Sequence, residues 1–277
     1  MATAAQSTYQ TAVYHEQGGN ALRVRGLSGL IGCEDMLWAD APTVAVLLDP
    51  SLGHHVFDDF LHPASATASD VMAWTALTDG GTGTPAFQDA AGGVFNVVTA
   101  AADNDYSAYS SVAENWKFAA GKKLWFEARF KLAEANTSES TWWFGLSDTL
   151  TTGGMQANAA GPLASYDGAL IWKTPETALT VNFETSNAGT QNTLSAAWTY
   201  ASDTWTRVGF YFDGTATTST ITPYVDVGDG EGWVAGTAQN ITLSGLEEMH
   251  VVFGVKAGPT GGAETLQVDY VRVLQLR

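Results

Sequence analysis

The chain has 277 residues, with 29 acidic side chains against 12 basic ones, and its net charge is −17 at pH 7. Such a surface repels nucleic acid and anionic membranes, so we expect neither as a partner. The sequence contains no run of about 18 apolar residues, which is the length needed for a helix that crosses a membrane. The first ten residues lack the basic and apolar regions of a signal peptide, so we expect synthesis in a cytoplasm without export. The single cysteine, Cys33, excludes an intrachain disulfide framework.

The first 55 residues lack the long regular alternation found later, and we interpret residues 1–55 as an extended arm with short strands. Leu22–Arg25 is a strand-like piece, and Thr43–Leu48 reads TVAVLL. Such an apolar run needs an apolar surface to cover it. It is therefore a candidate contact to a neighbouring molecule, and docking on its own domain is an equal alternative. The candidate contact residues are Val44, Val46, Leu47 and Leu48.

From residue 56 onward, short segments alternate apolar and polar residues between turn-forming clusters. Lys123–Leu132 reads KLWFEARFKL. Its even-numbered residues are all apolar, and its odd-numbered residues include Glu127, Arg129 and Lys131. A period of two predicts a half-buried antiparallel strand. Pro223 lies inside another predicted strand and indicates an edge or a bulge there. We expect the first and last strands to pair, which brings the two ends of the domain into one sheet.

Together the segments predict an all-β, antiparallel sandwich over residues 56–277. No convincing amphipathic helix is present. The predicted strands are Val56–Leu61, Val71–Leu77, Gly93–Ala100, Ser107–Val112, Lys123–Leu132, Thr141–Ser147, Ala169–Lys173, Leu179–Glu184, Leu194–Tyr200, Trp205–Phe212, Thr218–Asp226, Gln239–Leu243, Leu246–Lys256 and Thr265–Leu276.

Several of these segments occur in an order that resembles a known class of protein. They are FDDF (Phe57–Phe60), KLWFEARFKL, WWFGLSDT (Trp142–Thr149), WTRVGFYFDG (Trp205–Gly214) and VDYVRVLQLR (Val268–Arg277). The layout resembles the concanavalin-A-like lectin/glucanase sandwich over residues 56–277. More narrowly, it looks like proteins encoded near the major capsid protein in tailed-bacteriophage genomes.

The resemblance implies a jelly-roll β-sandwich with an N-terminal arm and a structural role in the virion. The implied protein is a head decoration or cement protein on the outer capsid surface, less often a fibre. The implied partners are the major capsid protein and further copies of the chain, with a homotrimer favoured, and cell-surface glycans as a further partner. A carbohydrate-binding module or fibre adhesin is the alternative function.

A second alternative is a degenerate glycoside hydrolase, because this fold hosts glycosidases. Such enzymes need two carboxylates across the scissile bond, which the family carries on one strand as Glu-x-Asp-x-x-Glu or a similar pattern. Here Arg129 stands where Glu127 needs a second acid, and Glu247 and Glu248 are adjacent and point to opposite faces. Asp226–Glu231 has three acids in a glycine-containing turn. We therefore expect no catalytic residues and no enzyme.

No cofactor is expected from the sequence. Asp103–Asp105 and Asp226–Glu231 offer oxygen ligands that suit calcium, and the resemblance makes calcium an alternative. Neither segment matches the twelve-residue calcium loop. Asp and Asn also favour hairpin turns for backbone reasons, and this is our interpretation of both segments.

Exposed tryptophans next to polar groups are candidates for glycan contact, because sugar C–H groups stack on the indole ring. Trp125 lies on the same side of its predicted strand as Glu127. Trp142 and Trp143 are adjacent, so one of these two faces outward. Trp172 and Trp205 are further candidates. The alternative for all of them is packing in the core or between subunits.

Overall fold

The computed structural model divides the chain into two units, residues 1–41 and 42–277. It describes residues 13–15, 22–24, 36–61, 74–79, 86–88, 92–136, 138–158, 160–176, 178–215 and 217–277. In the first unit, β1 (Val13–His15) pairs antiparallel with β2 (Leu22–Val24). This confirms the strand-like piece predicted at Leu22–Arg25.

The second unit begins with a short helix, α1, at Thr43–Leu48. Val46 is only 3% exposed and lies against Gly53, where an added Cβ would approach its Cγ2 atom to 3.1 Å. Leu47 and Leu48 are 61% and 70% exposed, and Val44 is half-buried. The expectation of an extended segment is wrong here. A six-residue apolar run fits either period, and the helical bond from Asp49 N to Ala45 O is formed.

Sixteen further strands of this unit are described. They are β3 (Gly53–Asp58), β4 (Trp74–Thr78), β5 (Ala86–Phe87), β6 (Phe95–Val98), β7 (Tyr106–Ser111), β8 (Leu124–Ala133), β9 (Thr141–Ser147), β10 (Gly168–Lys173), β11 (Thr180–Asn187), β12 (Thr190–Thr199), β13 (Thr206–Phe212), β14 (Thr218–Asp226), β15 (Val234–Ala235), β16 (Gln239–Thr242), β17 (His250–Lys256) and β18 (Thr265–Leu276).

These strands form two antiparallel sheets. The seven-stranded sheet has the order β12-β11-β10-β9-β17-β7-β4. The nine-stranded sheet has the order β15-β14-β13-β8-β18-β6-β5, with β16 paired to β14 and β3 paired to β18. The predicted all-β antiparallel sandwich is confirmed. The predicted pairing of the first and last strands is confirmed as well, because β3 pairs with β18 from Gly53↔Leu276 to Asp58↔Val271.

An aromatic core joins the two sheets. Phe130 on β8 lies 4.6 Å from Phe144 on β9, between ring centroids, and Phe144 lies 5.8 Å from Phe253 on β17. All three rings are fully buried. Residues of the same parity on neighbouring strands extend this core, which leaves the opposite parity of each sheet on an outer face.

Pro223 marks an interruption in the pairing of β14. Residues 218–221 of β14 pair with β16, and Tyr224 and Val225 pair with β15. The proline falls between these two stretches, at a position where no N–H is available for a ladder bond. At the position where the sequence predicts an edge or a bulge, β14 changes its partner strand from β16 to β15.

The division at residue 55 stays a prediction. The compact unit that contains the sandwich starts at Pro42, and its first strand covers Gly53–Asp58 rather than Val56–Leu61. None of the helices in the described part of the chain has both the length and the apolar character needed to cross a membrane.

Candidate functional site

The outer face of the nine-stranded sheet carries four cationic side chains that are each paired with a carboxylate. Twelve basic residues occur in the whole chain, so these four are a third of the total. The pairs are Arg129–Asp269, Lys131–Asp203 (3.0 Å), Arg207–Asp226 (2.8 Å) and Arg272–Glu127. Each of the four pairs is neutral, although the chain is strongly acidic.

Two of the guanidinium groups also stack on tryptophan rings. The Cζ atom of Arg129 lies 4.6 Å from the ring centroid of Trp205, and that of Arg207 lies 4.6 Å from Trp233. An arginine over an indole face gains cation–π attraction. Stacking and ion pairing together fix both guanidinium planes before any ligand arrives, which lowers the ordering cost of binding.

An open pocket of about 650 Å³ lies between these groups. The half-buried Trp205 is part of its wall. The pocket lining consists of Arg129, Asp203, Thr204, Trp205, Arg207, Asp226, Gly228 and Tyr270. We call it the Trp205 pocket. Gly228 closes one side in the left-handed region (φ 75°), where a Cβ would lie 2.5 Å from the Trp205 carbonyl oxygen, so only glycine fits there.

Glu127 is the most deeply buried charged side chain of this face, at 0% exposure. Arg272 donates from Nε to Glu127 Oε2 at 2.8 Å, and the hydroxyl of Tyr270 donates to Oε1. Burial, followed by the charge of Glu127, raises the pKa of Tyr270 far above its usual value. The register of β18 and β8 places Arg272 directly opposite Glu127.

The three tryptophans named as glycan-facing residues are not exposed. Trp125, Trp142 and Trp143 are each 0% accessible, so the expectation that they offer a sugar platform is wrong for all three. Trp142 belongs to the core between the sheets. Trp125 does lie on the outer face of the nine-stranded sheet, as its parity predicts, but it is packed beside Tyr211 at 5.4 Å between ring centroids.

Trp143 lies on the outer face of the seven-stranded sheet, where a second small core covers it. Met155 and Tyr166, from the segment between β9 and β10, pack with Trp143, Leu170 and Val252. The Trp143 Nε1–H donates to Gly153 O at 2.9 Å. The segment after β9 therefore lies over the middle of this sheet. Alternation along β9 predicts that one of Trp142 and Trp143 faces outward, but it contains no information on the segment that covers Trp143.

Glu184 lies under the same cover. Its carboxylate accepts hydrogen bonds from Tyr166 (3.2 Å), Gln191 (2.9 Å) and Thr193 (2.6 Å). Burial raises its pKa, and the bonds from Thr193 and Tyr166 oppose that shift. A raised carboxyl pKa is a common feature of active sites. Here all three donors belong to the chain itself, so the contacts explain the carboxylate as part of the fold.

A third set of titratable groups meets near the ends of β8, β10 and β18. Lys173 Nζ contacts Glu134 Oε1 at 2.9 Å, and both side chains are fully buried. Glu264 accepts from the Ala135 amide (3.1 Å). Burial raises the pKa of Glu264 to about 7, with a smaller contribution from Glu134. The Lys173 ammonium thus contacts Glu134 and acts on Glu264 through its charge. Sequence reasoning missed this residue set because its members are distant in the chain.

The candidate calcium ligands take part in turns. Asp105 Oδ2 accepts from the Ala102 amide at 2.7 Å, and Asp229 Oδ1 accepts from the Glu231 amide at 3.0 Å. Asp226 is paired with Arg207. Within the described ranges, no three His, Cys, Asp or Glu side chains are grouped closely enough to hold a metal ion. The expectation of no cofactor, with calcium as the alternative, stays a prediction.

Sequence reasoning found part of the Trp205 pocket. Trp205 was named as a further glycan candidate, and Arg129 and Lys131 were placed on the polar side of β8. Arg207 and Tyr270 were missed as site residues, and Asp226 was considered only as an acid in a turn, because only the register of β14, β13, β8 and β18 brings them to the same place. Alternation within β13 does put Arg207 on the same parity as Tyr211, and this is the signal that was available.

No protein-family model and no curated protein sequence matches the chain. Solved structures do match over most of it. A protein of unknown function from Shewanella oneidensis MR-1 has 14% identity and a TM-score of 0.53, over 85% of this chain and 94% of that one. Peanut lectin has 12% identity and a TM-score of 0.54, over 81% and 98%.

An endo-1,3-beta-glucanase from Streptomyces sioyaensis has 15% identity and a TM-score of 0.50, over 82% of this chain and 98% of that chain. At such identities the likeness concerns the fold alone. The chain therefore has the concanavalin-A-like lectin/glucanase fold, as the sequence resemblance implied.

Proposed function

We propose that the chain is a non-enzymatic saccharide-binding protein that decorates the outer capsid surface of a tailed bacteriophage. The observation that carries the saccharide part is the Trp205 pocket. An indole ring lies there between side chains that donate hydrogen bonds, Arg129 and Arg207, and carboxylates that accept them, Asp203 and Asp226. Sugars present an apolar C–H face and hydroxyl groups that both donate and accept, so this mixture suits them. The fold supports the same reading, since it is shared with lectins.

The ion pairs of the pocket favour binding over hydrolysis. Glycoside hydrolysis requires a carboxylic acid that delivers a proton and a second, opposed carboxylate. Asp226 accepts two bonds from Arg207, at 2.8 and 3.1 Å, and Asp203 pairs with Lys131. Each carboxylate is thus committed to a cation, and its remaining lone pairs can accept hydrogen bonds from sugar hydroxyl groups.

The virion part of the proposal comes from the sequence resemblance and from α1. Leu47 and Leu48 expose apolar side chains next to each other, and each stabilises an interface by about 1.5–3 kcal/mol when fully buried. The proposed partners that cover them are the major capsid protein or a further copy of the chain, with a homotrimer favoured. The proposed role is that of a head decoration or cement protein that stabilises the capsid and displays the sandwich outward.

The test of the saccharide part is a glycan array followed by calorimetry on Trp205→Ala. Loss of the indole ring on which a sugar would stack is expected to weaken binding by about tenfold, or 1.4 kcal/mol. The matched control is Tyr211→Ala on β13, which removes a half-buried aromatic ring that lies outside the pocket, and it is expected to retain affinity. Equal loss in both variants, or binding to no glycan, contradicts the proposal.

The test of the virion part is fractionation of purified particles, in which the protein is expected to remain with filled heads and to raise their resistance to heat. Retention on tails alone favours the fibre adhesin. Turnover of a polysaccharide by the wild-type chain favours the degenerate glycoside hydrolase.

A further inference from the structure

The Trp205 pocket is one section of a longer row of side chains that crosses the outer face at right angles to the strands. The register places Arg207 opposite Asp226 on one side and opposite Arg129 on the other. Arg129 is in turn opposite Tyr270 on β18. Four adjacent strands thus each contribute one polar or aromatic side chain at the same level.

The row continues onto β3 through Phe57. Its ring centroid lies 5.8 Å from that of Tyr270, and its side chain is 48% exposed. On the other side, Trp233 flanks Arg207 at 4.6 Å. Five strands in sequence, β14-β13-β8-β18-β3, span four interstrand steps, or about 19 Å. This length exceeds that of a single sugar ring, and the row leaves the pocket in both directions.

The charges along the row cancel. Each of Arg129, Arg207 and Arg272 is paired with its own carboxylate, Asp269, Asp226 and Glu127. An anionic chain would meet compensated cations at close range and the field of a chain with net charge −17 at longer range. Aromatic rings and charge pairs in alternation suit a ligand that is uncharged and rich in hydroxyl groups.

We propose that this row binds an internal stretch of an uncharged linear polysaccharide, with Trp205 at its centre and Phe57 near one end. The proposal rests on the saccharide-binding function above and adds the ligand's chemical class and chain length. Successive sugar units lie across successive strands. Each unit meets either an aromatic ring or an arginine–carboxylate pair, and the chain ends project beyond the sheet.

The experiment is a calorimetric series with linear oligomers of one to six units, made of β-1,3-linked glucose, β-1,4-linked glucose or β-1,4-linked N-acetylglucosamine. Alginate and hyaluronate serve as anionic probes. Affinity for the recognised series is expected to rise about tenfold or more between one and four units and then to level off. It is expected to change little between 50 and 500 mM salt, because no net charge is neutralised on binding.

Two variants locate the row. Phe57→Ala is expected to weaken binding of the longest oligomers about threefold to tenfold and that of the shortest ones less. Val112→Ala, which shortens an exposed apolar side chain after β7 on the other sheet, is the matched control and is expected to change neither. Both sites are well exposed, so the variants should keep the wild-type melting temperature.

The outcomes separate the two proposals. Affinity that is independent of oligomer length, or equal loss in Phe57→Ala for short and long oligomers, overturns the extended row and leaves a single-sugar pocket at Trp205. Preference for alginate or hyaluronate that falls with salt overturns the uncharged class. Binding to none of these probes and to no glycan on the array overturns the saccharide-binding function itself.

Discussion

Arg129 on β8 and Arg207 on β13 are directly opposed across neighbouring strands. Like charges in this position destabilise a sheet. The chain offsets the repulsion by giving each guanidinium its own carboxylate, Asp269 or Asp226, and its own indole ring. Apolar residues at these two positions would need none of these contacts. A repulsion that other contacts of the same side chains offset is typical of binding sites. This is the physical reason for placing the site here.

Glu127→Gln is expected to lower the free energy of unfolding by about 2 kcal/mol, because it leaves Arg272 without its anionic partner. The loss stays below that of a fully buried pair, since Arg272 is partly exposed and glutamine still accepts a bond from Tyr270. Chemical denaturation measures it. Asp203→Asn, which breaks the exposed pair with Lys131, should cost under about 1 kcal/mol.

The same Glu127 variant tests the absence of enzymatic activity. The proposal expects no hydrolysis of β-glucans or bacterial polysaccharide by the wild-type protein. Hydrolysis by the wild type that disappears in Glu127→Gln, measured at a temperature at which the variant is still folded, would contradict a binding role.

Glu264 is expected to make stability fall as pH rises. Its folded-state pKa is about 7, whereas an unfolded chain releases this proton near pH 4.5. The native state thus holds the proton more tightly. The contribution of Glu264 to stability is therefore greatest below pH 4.5 and is lost progressively up to about pH 7, by at most about 3 kcal/mol. Glu264→Gln should remove this part of the pH dependence in melting curves between pH 5 and 8. A slope identical to that of the wild type would show that another group is responsible.

Leu47→Asp combined with Leu48→Asp should leave the sandwich's melting temperature unchanged, because both side chains are exposed. Particle binding or trimerisation should fail, as seen by sedimentation. Val46→Asp on the same helix is the contrasting variant. Its side chain is buried, so it should lower the melting temperature. If the double variant still assembles, the role of α1 in attachment is refuted.

Truncation tests where the folding unit begins. The prediction from sequence is that residues 56–277 fold alone, with a β-type circular dichroism spectrum. Starting at residue 56 removes Gly53, His54 and His55, which pair with Leu276, Gln275 and Leu274. A chain of residues 42–277 should therefore melt at a higher temperature than one of residues 56–277. Equal melting temperatures would show that α1 and the start of β3 add no stability.

Several strands were predictable from their own residues, whether one face of the strand is buried or both. Thr141–Ser147, Thr218–Asp226 and Thr265–Leu276 were predicted with the same bounds that the structure has. The helix at Thr43–Leu48 was not, since a largely apolar run of six residues carries too little periodicity to separate helix from strand.

The site was only partly predictable, because side chains from distant strands meet through register. Trp143 illustrates the limit. Its outward direction follows from alternation along β9, whereas its burial depends on Met155 and Tyr166, which lie in a segment without periodicity. Exposure on a sheet face is decided by such covering segments, and no pattern within the strand reports them.

The place of β18 in the nine-stranded sheet has a consequence for how the chain acquires its structure. β18 pairs with β3, β6 and β8, and Leu132 of β8 meets Leu266, which follows it by 134 residues. During synthesis β8 must therefore wait for a partner, with its backbone groups unpaired on that side. Contacts between such distant residues slow folding, typically to milliseconds or seconds. A nascent chain interrupted before β18 would expose three strands at once, and such chains should be the main substrates for chaperones and the main source of aggregates.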